Sequence, residues 1–133
     1  MNKPTHSQPA GKLLLRTLAM PEQNNPNGHI FGGWIMSQMD LATGLLAAET
    51  AQGRVTTVAV DKLSFWQAIL AGDVVNCYGE VIKIGNTSLQ IKVEVWIERL
   101  MNEEVRGLEL AADAVFTYVA VDKNGVPRPV QNT

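Results

Sequence analysis

Asp40 stands where a carboxylate is expensive. In "NPNGHIFGGWIMSQMD", residues 25–40, it lies between Met39 and Leu41, inside an apolar run from Ile30 to Ala48. A chain keeps an acid in such surroundings by pairing it, hydrogen-bonding it or shifting its protonation. Two uses fit: a satisfied structural acid, or a general base or nucleophile in a water-poor site. The same segment carries Gly28, Gly32 and Gly33, which leave the first N–H groups of a following helix uncovered. Uncovered N–H groups at a helix start attract negative charge and would suit the oxyanion of an acyl-transfer step. The glycines equally suit a tight turn that needs them only for its dihedral angles. An N-terminal donor group two helical turns from an acid is a hydrolytic layout.

Other chemistries find little material. There is no G-x-S-x-G elbow, and Ser7, Ser37, Ser64 and Ser88 stand in no nucleophile context. With His6 and His29 as the only histidines, a Ser-His-Asp triad or a histidine-rich metal site has little to draw on, and no metal is expected. No phosphate-binding P-loop or dinucleotide fingerprint is present. Cys77 is the single cysteine and sits in a strand pattern, so core packing is expected of it, and a reducing, cytoplasmic setting. Trp34, Met36 and Met39 read as core.

The elements that would position Asp40 follow from periodicity. Residues 33–52 are rich in Met, Leu, Ala and Gln and read as a helix, with Gly53 just past its end. Positions three and four away from Asp40 are Gly33, Ser37 and Gly44 on one side and Met36, Thr43 and Ala47 on the other, a small and weakly polar stripe. Apolar residues run nearly all round this helix, the pattern of a buried one. Its length approaches that of a membrane span, but Ser37, Gln38, Asp40 and Thr43 interrupt it.

After Gly53 the period becomes two. "RVTTVAVD", "DVVNCYGEVIKIG", "SLQIKVEVWIER" and "LELAADAVFTYVAVD" read as strands, with Gly79 marking a bulge and "GNTS", residues 85–88, a hairpin-type turn. Residues 12–20 fit a strand or a short helix. The order β-α-β-β-β-β, mostly consecutive strands, implies an α+β fold with a curved antiparallel sheet around one helix. Residues 1–11 read as a flexible tail, 12–122 as the folded domain and 123–133 as a turn and surface tail. The outer face of residues 88–99 is polar except for Trp96, a candidate higher-order contact.

At 133 residues the chain is one domain with a sizeable core. A net charge of −2 offers no footprint for nucleic acid or an anionic membrane.

"NPNGHIFGGWIMSQMD", followed by "RVTTVAVDKLSFWQAILAGDVVNCYGEVIKIGNTSLQIKVEVW" and "DAVFTYVAVDKNG", resembles the hot-dog-fold acyl-CoA thioesterases, YciA-like branch, over residues 12–128. The resemblance implies a long central helix wrapped by an antiparallel sheet, acyl-CoA as substrate, no separate cofactor, a place in fatty acid metabolism, and an active site between two subunits. It implies Asp40 as the catalytic acid and Gly32–Gly33 as the carbonyl-polarising backbone. It also implies Asn25, with Asn27 as second candidate, as the group reaching in from the partner subunit. Gly85, Asn86, Thr87 and Ser88 fall where the family contacts the CoA nucleotide or phosphates, helped by Lys83 or Arg54; an ordinary hairpin turn fits them equally. "KLSFWQAIL" departs from the family's usual run, with Trp66 and Ile69 replacing smaller or kinked residues near the acyl and pantetheine path.

Oligomerisation is expected on physical grounds as well. A helix apolar all round needs more cover than one small sheet provides, so a dimer is the minimal unit, with tetramer or hexamer as the larger assembly. The competing class is a non-catalytic module, either cystatin-like or acyl-CoA-binding, in which Asp40 is expendable. A hot-dog dehydratase would bring a histidine onto the active helix, and residues 33–52 contain none.

Overall fold

The computed structural model describes residues 2–102, 104 and 107–130. Six main elements follow one another: β1 (Lys12–Leu18), α1 (Gly32–Ala51), β2 (Val55–Phe65), β3 (Val74–Ile84), β4 (Ser88–Glu98) and β5 (Glu109–Ala120). The expected β-α-β-β-β-β order is observed, and residues 12–18 are the strand rather than the helix. All pairings are antiparallel, in the spatial order β1-β3-β4-β5-β2. α1 packs against every strand, so the sheet wraps around it. Among the described residues no helix is long and apolar enough to cross a membrane.

Alternation decides what the sheet shows to the helix. Leu89, Ile91, Val93, Val95 and Ile97 of β4 and Ala112, Ala114, Phe116 and Tyr118 of β5 are buried, meeting Ile35, Met39, Ala42, Leu46 and Ala47 of α1 in one core. Each large side chain so buried contributes roughly 1.5–3 kcal/mol. The ladder slips at several points, among them Thr57/Ala59 and Asp61/Ser64 in β2. Such bulges bend and twist a strand. Here Lys62 takes a left-handed φ of 54°, and β2 resumes its pairing with β5 as far as Phe65, beyond the expected "RVTTVAVD".

Several local expectations are corrected by packing. Gly79 is not a bulge: it pairs regularly with Lys12 and Val93, and the slip in β3 lies between Val81 and Lys83. A side chain at 79 would meet Leu14 Cδ1 at 2.6 Å, so glycine makes room for β1. The left-handed residue ending α1 is Gln52, not Gly53. Gly53 is small because the Arg128 guanidinium fills the space where its Cβ would go.

α1 is not buried all round. One face meets the sheet, while Leu41 and Leu45 on the other are 58% and 56% exposed. Trp96, expected on the surface, is buried at 2% exposure beneath the chain's own N-terminal segment. The His6 ring meets its indole edge-on at 5.7 Å. His6 Nε2, the Ala10 N–H and Trp96 Nε1 all contact the Glu94 carboxylate, at 2.8, 2.9 and 3.0 Å. Residues at the other end pack as well, with Val130 in the core and its N–H donating to the Asn86 carbonyl. Met1 and residues 131–133 of the two expected tails lie outside the described residues.

Arg128 ties this C-terminal segment to α1: Nη2 donates to the Ala51 carbonyl at 2.9 Å, Nε to Val121 and Nη1 to Pro129. A cation here also complements the negative end of the helix dipole. Arg128→Ala is expected to cost about 1–2 kcal/mol of stability, read as a lower urea midpoint at fixed protein concentration.

Candidate active site

Asp40 lies in the middle of α1, half-buried, and its carboxylate opens on a cleft of about 440 Å³ lined also by Leu15, Leu45, Val55 and Tyr118. Its Oδ1 accepts two hydroxyl protons, from Tyr118 at 2.5 Å and from Thr57 at 2.7 Å. Both lengths are those of charge-assisted O–H···O bonds. Oδ2 accepts from no described residue. The carboxylate is thus held by one oxygen, while the other is left without a partner among the described residues.

The Tyr118 hydroxyl also lies 2.7 Å from Thr43 Oγ1 and 3.0 Å from the Asp40 carbonyl. Burial, and then the bond to Asp40, push its pKa well above the usual tyrosine range, so it remains a donor throughout ordinary pH. Gly44 lies against the phenol: a Cβ there would sit at ordinary contact distance, 3.6 Å, from its oxygen.

A second cleft, of about 320 Å³, opens at the start of the helix and includes Asn25, Gly32, Ile35, Phe65, Trp66 and Ile69. Gly28 takes a φ of +80°, which closes the turn. Asn25 Oδ1 accepts the N–H groups of Asn27 and His29 at 2.9 and 3.1 Å. Two N–H donors aimed at one atom identify it as the oxygen, which leaves the amide NH₂ directed away from the turn. Asn27 is exposed and is not part of this lining, nor does the His29 ring bond any described residue. Phe31 precedes the helix without a side-chain cap; its carbonyl serves Trp34 and Ile35, while the N–H groups of Gly32 and Gly33 meet no acceptor among the described residues.

The two clefts share no lining residue. From Gly32 to Asp40 is eight residues of helix, roughly 12 Å along its axis. A reacting carbonyl needs both partners at about 3 Å. One chain therefore does not bring Asn25, Gly32 and Gly33 together with Asp40.

The remaining candidates gather at one end of the sheet. Val121 N–H donates to the Arg54 carbonyl and the preceding Ala120 N–H to that of Thr87, so Arg54 and the Gly85–Ser88 turn are neighbours. Gly85 N–H is spent on the Ser88 carbonyl, and Arg54 Nη1 donates to the Lys123 carbonyl at 3.0 Å. Lys83 is exposed near the end of β3. Asp122 steadies the adjoining turn by accepting the Val126 and Asn124 N–H groups, which hold its pKa below the ordinary carboxylate range. Cys77 is buried, and burial pushes its thiol up to about 12, which leaves it inert at neutral pH.

A helix-borne acid with a free oxygen, wrapped by five antiparallel strands, coincides with a family match. The thioesterase superfamily model matches residues 27–103. The chain belongs to the thioesterase superfamily. Its sequence is 49% identical to that of the acyl-CoA thioester hydrolase YciA of Escherichia coli over 93% of this chain and 94% of that one. Among solved structures, an aspartate-to-alanine variant of the hexameric broad-specificity acyl-coenzyme A thioesterase HI0827 superposes with a TM-score of 0.89 at 53% identity, covering 92% of this chain and 88% of that one. Cj0915 of Campylobacter jejuni, a hexameric hotdog-fold thioesterase, gives 0.86 at 39% identity, with 91% of each chain covered.

The chain is thus a hotdog thioester hydrolase of the YciA-like branch, and the cystatin-like alternative falls away. Sequence reasoning missed Tyr118 and Thr57. The available signal was a tyrosine on the inward face of β5, two residues after Phe116, whose hydroxyl needed a partner in the core. Tyr118→Phe removes one of the two donors on Oδ1. It is expected to lower kcat about 10- to 100-fold with KM little changed, by analogy with other groups that orient a reacting ligand, as measured by steady-state thioester hydrolysis.

Proposed function

We propose that the protein hydrolyses acyl-CoA thioesters to a carboxylic acid and free CoA, in a site assembled from two copies of the chain. The observation that carries the reading is the carboxylate of Asp40, which lines an open cleft, is fixed through Oδ1 by Tyr118 and Thr57, and has no partner for Oδ2 among the described residues. The acyl-CoA thioester hydrolase activity of YciA supports the substrate class.

In this reading the N–H groups of Gly32 and Gly33 donate to the thioester carbonyl oxygen, with the Asn25 amide beside them, and Asp40 comes from the partner copy. Water attacks the carbonyl carbon while Asp40 Oδ2 takes its proton. The negative charge moves to the carbonyl oxygen, where the helix N–H groups meet it. The C–S bond then breaks and the departing sulfur receives the proton. Direct attack by Oδ2 on the same carbon would break the C–S bond, release the CoA thiolate to take a proton from the water used next, and give an acyl-enzyme anhydride. A single turnover in ¹⁸O-water labels Asp40 when water opens that anhydride at the Asp40 carboxyl carbon, and never by the general-base route. Neither route calls on a metal ion.

A shared site explains why α1 leaves Leu41 and Leu45 uncovered beside Asp40. A second copy buries them, and the hexameric assemblies of HI0827 and Cj0915 agree with a homo-oligomer. The CoA phosphates are assigned to the Arg54, Lys83 and Gly85–Ser88 end, where cations flank the turn.

Asp40→Asn keeps the shape and removes the base. It is expected to lower thiol release at least about 10³-fold across acyl-CoAs of different length, with an unchanged melting profile. Full activity in that variant would remove the mechanism.

A further inference from the structure

An aromatic ring lies against the start of α1. Phe65, the last residue of β2, is 46% exposed and lines the cleft of about 320 Å³ together with Gly32. A Cβ on residue 32 would stand 3.3 Å from the ring's Cζ, inside the ordinary carbon–carbon contact distance of roughly 3.5–4.0 Å. Gly32 does not take a positive φ, so its backbone does not call for glycine. Its missing side chain makes room for the ring.

The ring reaches the helix because β2 carries an extra residue. Asp61 pairs with Val115, but Ser64 pairs with Asp113 and Phe65 with Ala112. An unbroken ladder would set Ser64 opposite Ala112, a core residue, and turn Phe65 to the outer face. The bulge includes Lys62 at a left-handed φ of 54°, a conformation that lysine takes only where its surroundings impose it. Beyond the bulge the chain is held again, by the Trp66 N–H donating to the Ala111 carbonyl at 2.7 Å. A large apolar ring is thus fixed, half uncovered, beside helix N–H groups that meet no acceptor among the described residues.

We propose that Phe65 is a substrate-positioning residue: its ring is the wall against which the thioester group lies, with the carbonyl oxygen directed to the Gly32 and Gly33 N–H groups. This deepens the acyl-CoA reading above and rests on it. The atoms that meet the ring are the carbonyl carbon, the sulfur and the carbons next to them, which every acyl-CoA has. The ring therefore serves orientation and not the choice of chain length. A misdirected carbonyl loses the hydrogen bonds on which the developing oxyanion depends.

The test is kcat and KM of the full-length protein with butyryl-, octanoyl- and palmitoyl-CoA, each below its micellar range. The variants are Phe65→Leu, Phe65→Ala, Gly32→Ala, and Gly32→Ala combined with each Phe65 change. Phe65→Ala is expected to lower kcat about 10- to 100-fold, by the same factor for all three chains and with KM little changed. Phe65→Leu keeps an apolar wall and is expected to lose less. Gly32→Ala retains the N–H but displaces the ring. It is expected to lower kcat about three- to tenfold alone, and about twofold or less once Phe65 is alanine and nothing remains to displace. Phe65→Leu, alone and with Gly32→Ala, carries the test should Phe65→Ala fail to fold. Folded Phe65 variants with the wild-type kcat, a loss that changes with chain length, or a Gly32→Ala loss as large without the ring as with it overturns the assignment. Absence of thiol release from every acyl-CoA by the wild type instead overturns the thioesterase reading beneath it.

Discussion

The two O–H donors on Asp40 Oδ1 come from Thr57 and Tyr118, which face each other across the β2–β5 ladder. Sheet register therefore sets the orientation of the carboxylate. Because side chains alternate, a slip of one residue between these strands would turn one of the two hydroxyls to the outer face. The core residues flanking Tyr118 on β5, Phe116 and Ala120, fix that register by being buried against the helix. Thr43 completes the arrangement from the helix by bonding the phenol. A carboxylate so held costs little in a half-buried place, since one oxygen has its partners and the residue lines an open cleft.

In the proposed reading the same placement makes one chain insufficient. Asp40 is two turns down a helix whose first N–H groups are the uncovered ones, and a straight helix cannot fold back to bring them together. Leu41 and Leu45 stay largely uncovered next to the acid. In the proposed reading a second copy turned about a two-fold axis meets both deficits, the unburied apolar face and the missing donors. In this account assembly and catalysis have one cause.

The period-two runs of β3, β4 and β5 and the apolar run of α1 were legible in the sequence because alternation and helical composition are local properties. Asp40 was legible for the same reason, as a polar residue in an apolar frame. What the sequence concealed was non-local. The bulge at Lys62 comes from how β2 meets β5, and the space at Gly79 from a leucine on β1. Burial of Glu94 and Trp96 depends on a proline-bearing N-terminal segment that has no periodicity to announce its path. Thr57 and Tyr118 lie 17 and 78 positions from Asp40, and only the folded sheet puts them beside it. Gly32 and Gly33 were visible as glycines, but their uncovered N–H groups depend on Phe31 giving no side-chain cap.

Subunit exchange between two inactive variants tests the shared site most directly. An equal mixture of Asn25→Ala and Asp40→Asn chains, unfolded and refolded together, places half of the two-fold pairs in the mixed state, each with one intact site of its two. Activity should then rise from near zero in either parent to about one quarter of the wild-type rate. A mixture that forms mixed oligomers yet stays as inactive as its parents would contradict a site shared between copies.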